Sequence, residues 1–173
     1  MPLSIGDHAP HLSLPDTDGA EHDLGEHGRP SVIVFTCNHC PYALAWHDRI
    51  IDAGRDYGDR VRFFAVNPND ADRYPNDSLD KMRERVGREE WTMPYLRDET
   101  QEVARAYGAQ TTPDVFVVDG DGTLRYRGAP DADHGDPSHN AAWLRDALDA
   151  VLDGREPEQA ETRPVGCSVK WKA

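Results

Sequence analysis

The stretch VIVFTCNHCPYALAWHDRII, residues 32–51, joins an apolar segment to an amphipathic one through two closely spaced cysteines. Val32 to Phe35 is a short apolar run of the kind that forms a buried strand. Beyond it, apolar residues recur at the spacing of one helix face, at Ala43, Trp46, Ile50, Ala53 and Tyr57. Pro41 is compatible with the first turn of that helix, whose amides need no helical partner. The stretch therefore predicts a strand-to-helix junction that carries Cys37 and Cys40.

The rest of the chain predicts an alternation of strands and helices around this junction. Before it, residues 11–31 contain two short strand-like segments on either side of an Asp-Gly turn, followed by a loop. After it come, in chain order, a strand at 61–66, a helix from Leu79 capped by Ser78, a helix within 99–109, a hairpin over 114–128 and a helix capped by Asn140. This order predicts an α/β fold of three layers, with a central mixed β-sheet flanked by helices. We expect one domain over residues 1–155, with an N-terminal β-hairpin, and a C-terminal tail over residues 156–173 packed on it.

Composition narrows the partners and the compartment. The 173 residues suffice for one globular domain. The net charge of -13 disfavours nucleic acid and anionic membranes as partners, because their phosphates would be repelled. No apolar stretch approaches the roughly 18 residues of a membrane-spanning helix, and the N-terminus lacks the layout of a secretory signal. We therefore expect a cytoplasmic protein.

The cysteine pair suits thiol chemistry, because the species that attacks a disulfide is a thiolate, which needs surroundings that stabilise negative charge. The N-terminus of a helix supplies them through its unpaired amides and its dipole. We expect Cys37 to be the exposed nucleophile and Cys40, one turn inside the helix, to be the thiol that closes the disulfide. Asn38 and His39 lie between them and are expected to tune the pKa and the redox potential of the pair, since a protonated imidazole would stabilise the Cys37 thiolate further.

Alternatives to a redox pair remain open from the residues alone. The two cysteines could be inert core residues or half of a zinc site, although a four-ligand site needs a second pair, which this chain lacks. Two histidine pairs and the acids near the second pair could bind a transition metal or simply be solvated: His8, His11, His134, His139, Asp131, Asp133 and Asp136. The polar stretch NPNDADRYPNDS, residues 67–78, could hold a cation but matches no calcium-loop template, so we expect a surface insertion. We expect no metal site.

A second informative stretch is QTTPDVFVV, residues 110–118, which places Thr112-Pro113 just before a buried strand. An X-Pro bond in this place can be cis, which leaves the backbone of Thr112 facing outward. A client chain could pair with that free edge as it approaches the sulfur. The alternative is an ordinary trans proline that starts a strand.

Several segments together carry a likeness to a known family: TCNHCPY at 36–42, NPNDADRYPNDS, PYLRDETQEVARAYGA at 94–109, TPDVFVVD at 112–119 and GCSVKWK at 166–172. The chain resembles the thioredoxin superfamily, and more narrowly its peroxiredoxin-like redoxin proteins, the alkyl hydroperoxide reductase and thiol-specific antioxidant relatives. The likeness spans nearly the whole chain. It implies a thioredoxin-like fold and a thiol-disulfide oxidoreductase, with Cys37 and Cys40 as the redox pair and Thr112-Pro113 as a substrate-binding cis-proline loop.

Three positions depart from the patterns of these families. Peroxiredoxins carry a threonine or serine three residues before the peroxidatic cysteine, where Val34 stands, so the hydroxyl that orients a peroxide is missing. Thioredoxins have a buried acid six residues before the first cysteine, where Ser31 stands. Some relatives have a cysteine at the position of Thr111, and its absence argues against a relay through that loop. Disulfide exchange is therefore the expected activity.

The expected clients are disulfide-containing proteins or small thiols, with an upstream reductase or thioredoxin as the electron source and no cofactor beyond an external thiol reductant. We expect a monomer or weak dimer. One alternative is a thiol peroxidase, in which a Cys37 sulfenic acid is resolved by Cys40. Another is a non-catalytic module of thioredoxin fold that binds a partner peptide. Cys167 is either an extra resolving thiol, expected to pair with Cys37, or a small residue in a packed tail.

Overall fold

The computed structural model describes residues 3–25 and 28–173. Met1, Pro2, Glu26 and His27 lie outside these ranges, and the last two belong to the loop predicted ahead of the first buried strand. The elements are β1 (Ser13–Pro15), β2 (Glu21–Asp23), β3 (Ser31–Phe35), α1 (Pro41–Tyr57), β4 (Arg62–Asn67), α2 (Leu79–Gly87), β5 (Tyr95–Arg97), α3 (Glu102–Tyr107), β6 (Thr111–Thr112), β7 (Asp114–Val118), β8 (Leu124–Gly128), α4 (Ala142–Leu152) and β9 (Cys167–Ser168). Within the described ranges, no helix is both long and apolar enough to cross a membrane.

Five strands form the central sheet, in the order β5-β4-β3-β7-β8. Strand β3 lies in the middle, parallel to β4 and antiparallel to β7, so the sheet is mixed. Strands β1 and β2 pair as the N-terminal hairpin. The predicted α/β class and sheet type are confirmed. One strand of this sheet, β5, is missing from the prediction, because three residues of mixed polarity carry no alternating pattern.

Helices cover both faces of the sheet because alternate side chains of β3 point to opposite sides. Val32 and Val34 pack into the core that contains Trp46 of α1 together with residues of α2 and α4. Ile33 and Phe35 pack into a second core with α3 and the N-terminal hairpin. The chain leaves the sheet after Phe35 and enters α1 within six residues. The cysteines therefore lie where the end of the central strand meets the start of the longest helix.

The start of α4 differs from the prediction. Ser78 caps α2 as predicted, since its hydroxyl oxygen accepts a first-turn amide at 3.2 Å. Asn140 does not cap α4, because it and Ala141 both adopt left-handed backbone, with φ of 51° and 54°. The Ala141 amide donates instead to the Asp131 carboxylate at 2.8 Å. A carboxylate ten residues upstream thus satisfies an amide at this helix end, and no local pattern indicates it.

The C-terminal tail contacts the domain at several points. Strand β9 pairs antiparallel with β6, and Glu161 bridges to Arg127 at the edge of β8. Val169 is buried, and the Trp171 ring lies 4.5 Å from the Arg105 guanidinium. These contacts bring the last residues of the chain beside the loop that precedes β7.

Asp114, the first residue of β7, is expected to make stability fall as pH rises. It is fully buried, and only one of its carboxylate oxygens has a hydrogen-bond partner among the described residues, the Gln110 amide at 2.9 Å. Burial raises the pKa of Asp114 from its ordinary value of 3.8 to about 7. Between these values the folded protein holds a proton that the unfolded chain has lost, so this group lowers the free energy of unfolding by about 1.4 kcal/mol per pH unit.

The measurement is urea unfolding of the protein and of Asp114→Asn between about pH 4 and pH 7. The variant cannot titrate at this position, so its free energy of unfolding should fall less steeply over that interval. Equal slopes for the two proteins would contradict a raised pKa at Asp114.

Candidate active site

Both cysteines of the pair are buried. Cys37 follows β3 after one intervening residue, and Cys40 occupies the N-cap position of α1; each is only 1% exposed. The prediction of an exposed Cys37 is wrong. The loop that carries Thr112 lies against both sulfurs, and the tail packs beside them. Local sequence around the pair contains neither of these covering segments.

Thr112 contacts the sulfurs of both cysteines, and its peptide bond to Pro113 is cis. The Cys40 amide donates to the Cys37 sulfur at 3.3 Å, and the Thr112 hydroxyl lies 3.4 Å from the same atom. The Cys40 thiol donates to the Thr112 carbonyl oxygen at 3.2 Å. Cys37 is therefore surrounded by groups that can donate to a thiolate, while Cys40 has an acceptor for its proton.

The two thiols lie in one buried cluster and their ionisations are linked, so they titrate as a pair. The neighbouring Cys37 side chain lowers the pKa of Cys40, helped by Cys167 and by the backbone amides of Ala43 and Cys167. The Cys40 side chain, together with burial and the charge of Asp77, raises the pKa of Cys37. The sequence expectation placed the lowering on Cys37. It falls on Cys40, chiefly because of the neighbouring Cys37 side chain, and the amides of Ala43 and Cys167 add to it.

Asp77 is a site residue that the sequence analysis missed. It ends a short 3-10 helix at Pro75–Asp77, is fully buried, and accepts the Asn38 amide at 2.7 Å and two asparagine side chains. The atoms of Asp77, His39 and Cys37 that could ligate a metal all lie within 4.8 Å of one another. The stretch 67–78 is therefore more than a surface insertion, because its last turn carries a carboxylate beside the redox pair.

The two residues between the cysteines contact groups that are distant in sequence. The His39 Nδ1 atom is 2.8 Å from the Asp77 carboxylate. This carboxylate would offset a positive charge on the imidazole and so reduce the effect of that charge on Cys37. The Asn38 side chain holds the loop: its oxygen accepts from Tyr95 at 2.7 Å and from Arg85 at 3.3 Å, and its nitrogen donates to a backbone carbonyl. Asn38 is thus a positioning residue.

The structure also locates the three positions that depart from the family patterns. Val34 lies in the first core, and Ser31 is buried at the opposite end of β3 from the cysteines. The Thr111 hydroxyl donates to the Pro113 carbonyl at 2.8 Å. Asp77 provides a buried acid near the pair, although it comes from a segment 40 residues downstream of Cys37.

Cys167 lies at the site, but beside Cys40. Residues Thr112 and Cys167 are direct partners in the β6-β9 ladder, so the edge predicted to be free for a client is occupied by the tail. Cys167 packs against the cluster that contains Cys40, and burial together with the neighbouring Cys40 raises the pKa of Cys167 to about 11. Of the three cysteines, only Cys167 is partly exposed.

The residues considered as metal ligands fall into different places in the structure. Asp131 is committed elsewhere, since it forms a buried ion pair with Arg49 at 3.0 Å. Asp133, Asp136 and His139 cluster within 4.8 Å of one another near the surface, and Cys37, His39 and Asp77 form the only other such cluster in the described part of the chain. In the second cluster, Asp77 already accepts from three amide groups.

Neutralising Asp77 is expected to lower the pKa of Cys37, because its negative charge disfavours the thiolate. Cys40→Ser with Cys167→Ser leaves Cys37 as the sole thiol. Adding Asp77→Asn to that background should move the midpoint of iodoacetamide alkylation down by about one pH unit. Glu84→Gln, which removes an exposed acid from the neighbouring cleft, is the matched control and should leave the midpoint in place. Equal midpoints with and without the Asp77→Asn change would show that the carboxylate does not act on the thiol.

Comparison with known proteins shows the family and the fold of the chain. The model of the AhpC/TSA family matches residues 5–127. An uncharacterized conserved protein from Geobacillus kaustophilus is 38% identical, with a TM-score of 0.92 over 98% of this chain and 93% of that one. A hypothetical protein from Sinorhizobium meliloti is 32% identical, with a TM-score of 0.92 over 100% and 97%.

A more distant structure has the same fold. A secreted Mycobacterium tuberculosis disulfide oxidoreductase homologous to E. coli DsbE is 18% identical, with a TM-score of 0.60 over 76% of this chain and 95% of that one. No curated protein is significantly similar to the sequence.

Proposed function

The chain belongs to the AhpC/TSA family, and we propose that it is a thiol-disulfide oxidoreductase that cycles Cys37 and Cys40 between dithiol and disulfide. The observation that carries this proposal is the pair itself: two thiols in one buried cluster at the start of α1, with the Cys40 amide and the Thr112 hydroxyl at hydrogen-bond distance from the Cys37 sulfur. A pair in which Cys37 lowers the pKa of Cys40 is suited to attack on a disulfide, because the attacking species is a thiolate.

Cys37 is the attacking sulfur in this proposal. As its proton passes to Cys40, the thiolate on Cys37 accepts the Cys40 amide and the Thr112 hydroxyl. The thiolate attacks one sulfur of the client, a mixed disulfide forms, and the first client thiol leaves. Cys40 then attacks the Cys37 sulfur, which releases the second client thiol and closes the Cys37-Cys40 disulfide. The client gains two electrons from the protein, and an external thiol reductant then supplies two electrons that restore the dithiol.

Clients and location are further proposals. A cleft of about 220 Å³ opens beside Asn38 and His39, and its other charged lining residues are three cations and one acid: Lys81, Arg85, Arg88 and Glu84. It is suited to a small disulfide with acidic groups, whereas an extended protein client needs the Thr112 edge, which β9 covers. We also propose that the protein is cytoplasmic, that an upstream reductase or thioredoxin is its electron source, and that it is a monomer or weak dimer.

Peroxide reduction is a second candidate function, favoured by one observation. The Thr112 hydroxyl lies 3.4 Å from the Cys37 sulfur and can supply the hydrogen bond that Val34 cannot. The Cys37 thiolate would attack the peroxide, giving a sulfenic acid and an alcohol or water. Cys40 would then displace water from the sulfenic sulfur and form the same disulfide.

Parallel turnover assays separate these functions. Reduction of insulin and of a small acidic disulfide, with dithiothreitol as reductant, tests disulfide exchange, and consumption of hydroperoxides tests the alternative. Turnover in neither assay would leave a non-catalytic binding module. The reduction potential of the couple then gives the direction of electron flow: a value near about -270 mV is that of a reductase, and one near about -120 mV is that of an oxidant.

A further inference from the structure

We propose that the tail is an internal client: β9 occupies the strand position of an extended substrate, and Cys167 takes over the disulfide as a Cys40-Cys167 bond that an external thiol can reach. This inference rests on the proposed function, since it begins from the Cys37-Cys40 disulfide. It adds a second disulfide to the cycle, and with it a route by which reducing equivalents enter a buried site.

The strand position is set by backbone pairing. Thr111 pairs with Ser168 and Thr112 with Cys167, and the Val169 amide donates to the Gln110 carbonyl at 3.1 Å. Addition of an extended segment to an exposed strand edge is a general mode of peptide recognition, in which backbone hydrogen bonds set the register. The tail therefore holds its cysteine at the cis-proline loop in the way that a bound client strand would.

The tail is fastened on both sides of Cys167. Downstream, the Lys170 carbonyl accepts the Asp70 amide and the Gln101 side chain, both at 2.9 Å, and the Lys170 amide donates to the Asn69 side chain at 2.9 Å. Upstream, a side chain at Gly166 would collide with the Thr112 carbonyl oxygen, so the close approach of the two backbones requires glycine. A shift in register would break these contacts, and Cys167 is held at one place.

Cys167 differs from the other two cysteines in its exposure to solvent. Cys37 and Cys40 are each 1% exposed, whereas Cys167 is partly exposed and packs against the cluster that they form with Ala43. A reductant outside the protein can therefore contact the sulfur of Cys167 while the tail stays docked. The sulfurs of the pair are buried, so an external thiol reaches Cys167 more readily than either of them.

The charge at Cys40 sets the order of events. In the dithiol form, burial and then the neighbouring Cys40 raise the pKa of Cys167 to about 11, so this thiol stays protonated. Once Cys40 is part of a disulfide, its negative charge is gone, and the part of the rise in the pKa of Cys167 that this charge causes is lost. Cys167 thus becomes a better nucleophile after the pair has been oxidised.

The exchange is balanced without any added oxidant. The Cys167 thiolate attacks the Cys40 sulfur, the Cys40-Cys167 bond forms, the Cys37-Cys40 bond breaks, and Cys37 leaves as a thiolate that takes up a proton. An external thiol then attacks the sulfur of Cys167 and releases Cys40. A second external thiol releases Cys167, so two thiols are oxidised and the protein regains its three thiols.

The test maps disulfides in the full chain after mild oxidation, by alkylation and mass spectrometry. Cys37→Ser should form a Cys40-Cys167 disulfide, and Cys40→Ser should form no Cys37-Cys167 disulfide. Cys167→Ser should still form the Cys37-Cys40 disulfide, but glutathione should reduce it about tenfold or more slowly than in the unaltered protein. Ser168→Ala, an exposed neighbour on β9 that keeps the backbone pairing, is the matched control and should be reduced at the unaltered rate.

A free thiol at Cys167 in oxidised Cys37→Ser, or an unchanged rate of reduction in Cys167→Ser, would overturn the relay. Failure of the proposed function has a different signature, which is the absence of any Cys37-Cys40 disulfide in Cys167→Ser. Circular dichroism of each variant establishes that it is folded.

Discussion

Replacing Cys37 with serine is expected to lower disulfide reduction by about a thousandfold or more, because the hydroxyl cannot form the mixed disulfide through which every turnover passes. The effect should be in turnover, with stability little changed, since serine is close in size and can still accept the Cys40 amide. The measurement is the rate of insulin or small-disulfide reduction under saturating reductant.

Cys40→Ser gives the complementary result. With Cys37 intact and the resolving thiol absent, a mixed disulfide between Cys37 and the client should accumulate and be visible on a non-reducing gel. If Cys37→Ser instead trapped the client and Cys40→Ser trapped none, the attacking sulfur would be Cys40, the thiol with the lowered pKa.

Replacing Asp131 with alanine is expected to lower the free energy of unfolding by about 3 to 5 kcal/mol, the range for breaking a buried ion pair. Its carboxylate accepts from the Arg49 guanidinium, from the Trp46 indole at 2.9 Å, and from the backbone amides of Asp133 and Ala141. Loss of the carboxylate leaves Arg49 buried without its counter-charge and removes the partner of an amide just ahead of α4. Urea unfolding followed by circular dichroism measures the loss.

The matched control for Asp131 is an exposed pair on the same helix as Arg49. Asp52 and Arg55 form a salt bridge 3.2 Å long with both side chains more than half exposed. Asp52→Asn should change the free energy of unfolding by at most about 1 kcal/mol. Equal losses for the two variants would mean that burial of the Arg49-Asp131 pair does not set its contribution.

Sequence patterns were sufficient wherever the information is local. The alternation of an apolar run and a helical face predicted β3, α1 and the cysteines between them, and Ser78 marked the start of α2. These features depend on neighbours within a few residues, so a single sequence contains them. Strand β5 and the start of α4 were missed because their partners are β4 and Asp131, which lie elsewhere in the chain.

The chemistry of the site depended on contacts that no local pattern contains. The spacing of Cys37 and Cys40 by itself determined that two thiols could meet at a helix start. Only the tertiary structure decided that Asp77 lies beside them, that Thr112 is covered by β9, and that Cys167 contacts Cys40. The reason is physical: a charge or thiol acts through a few ångströms of space, and chain folding brings together groups that lie 40 to 130 residues apart in the sequence.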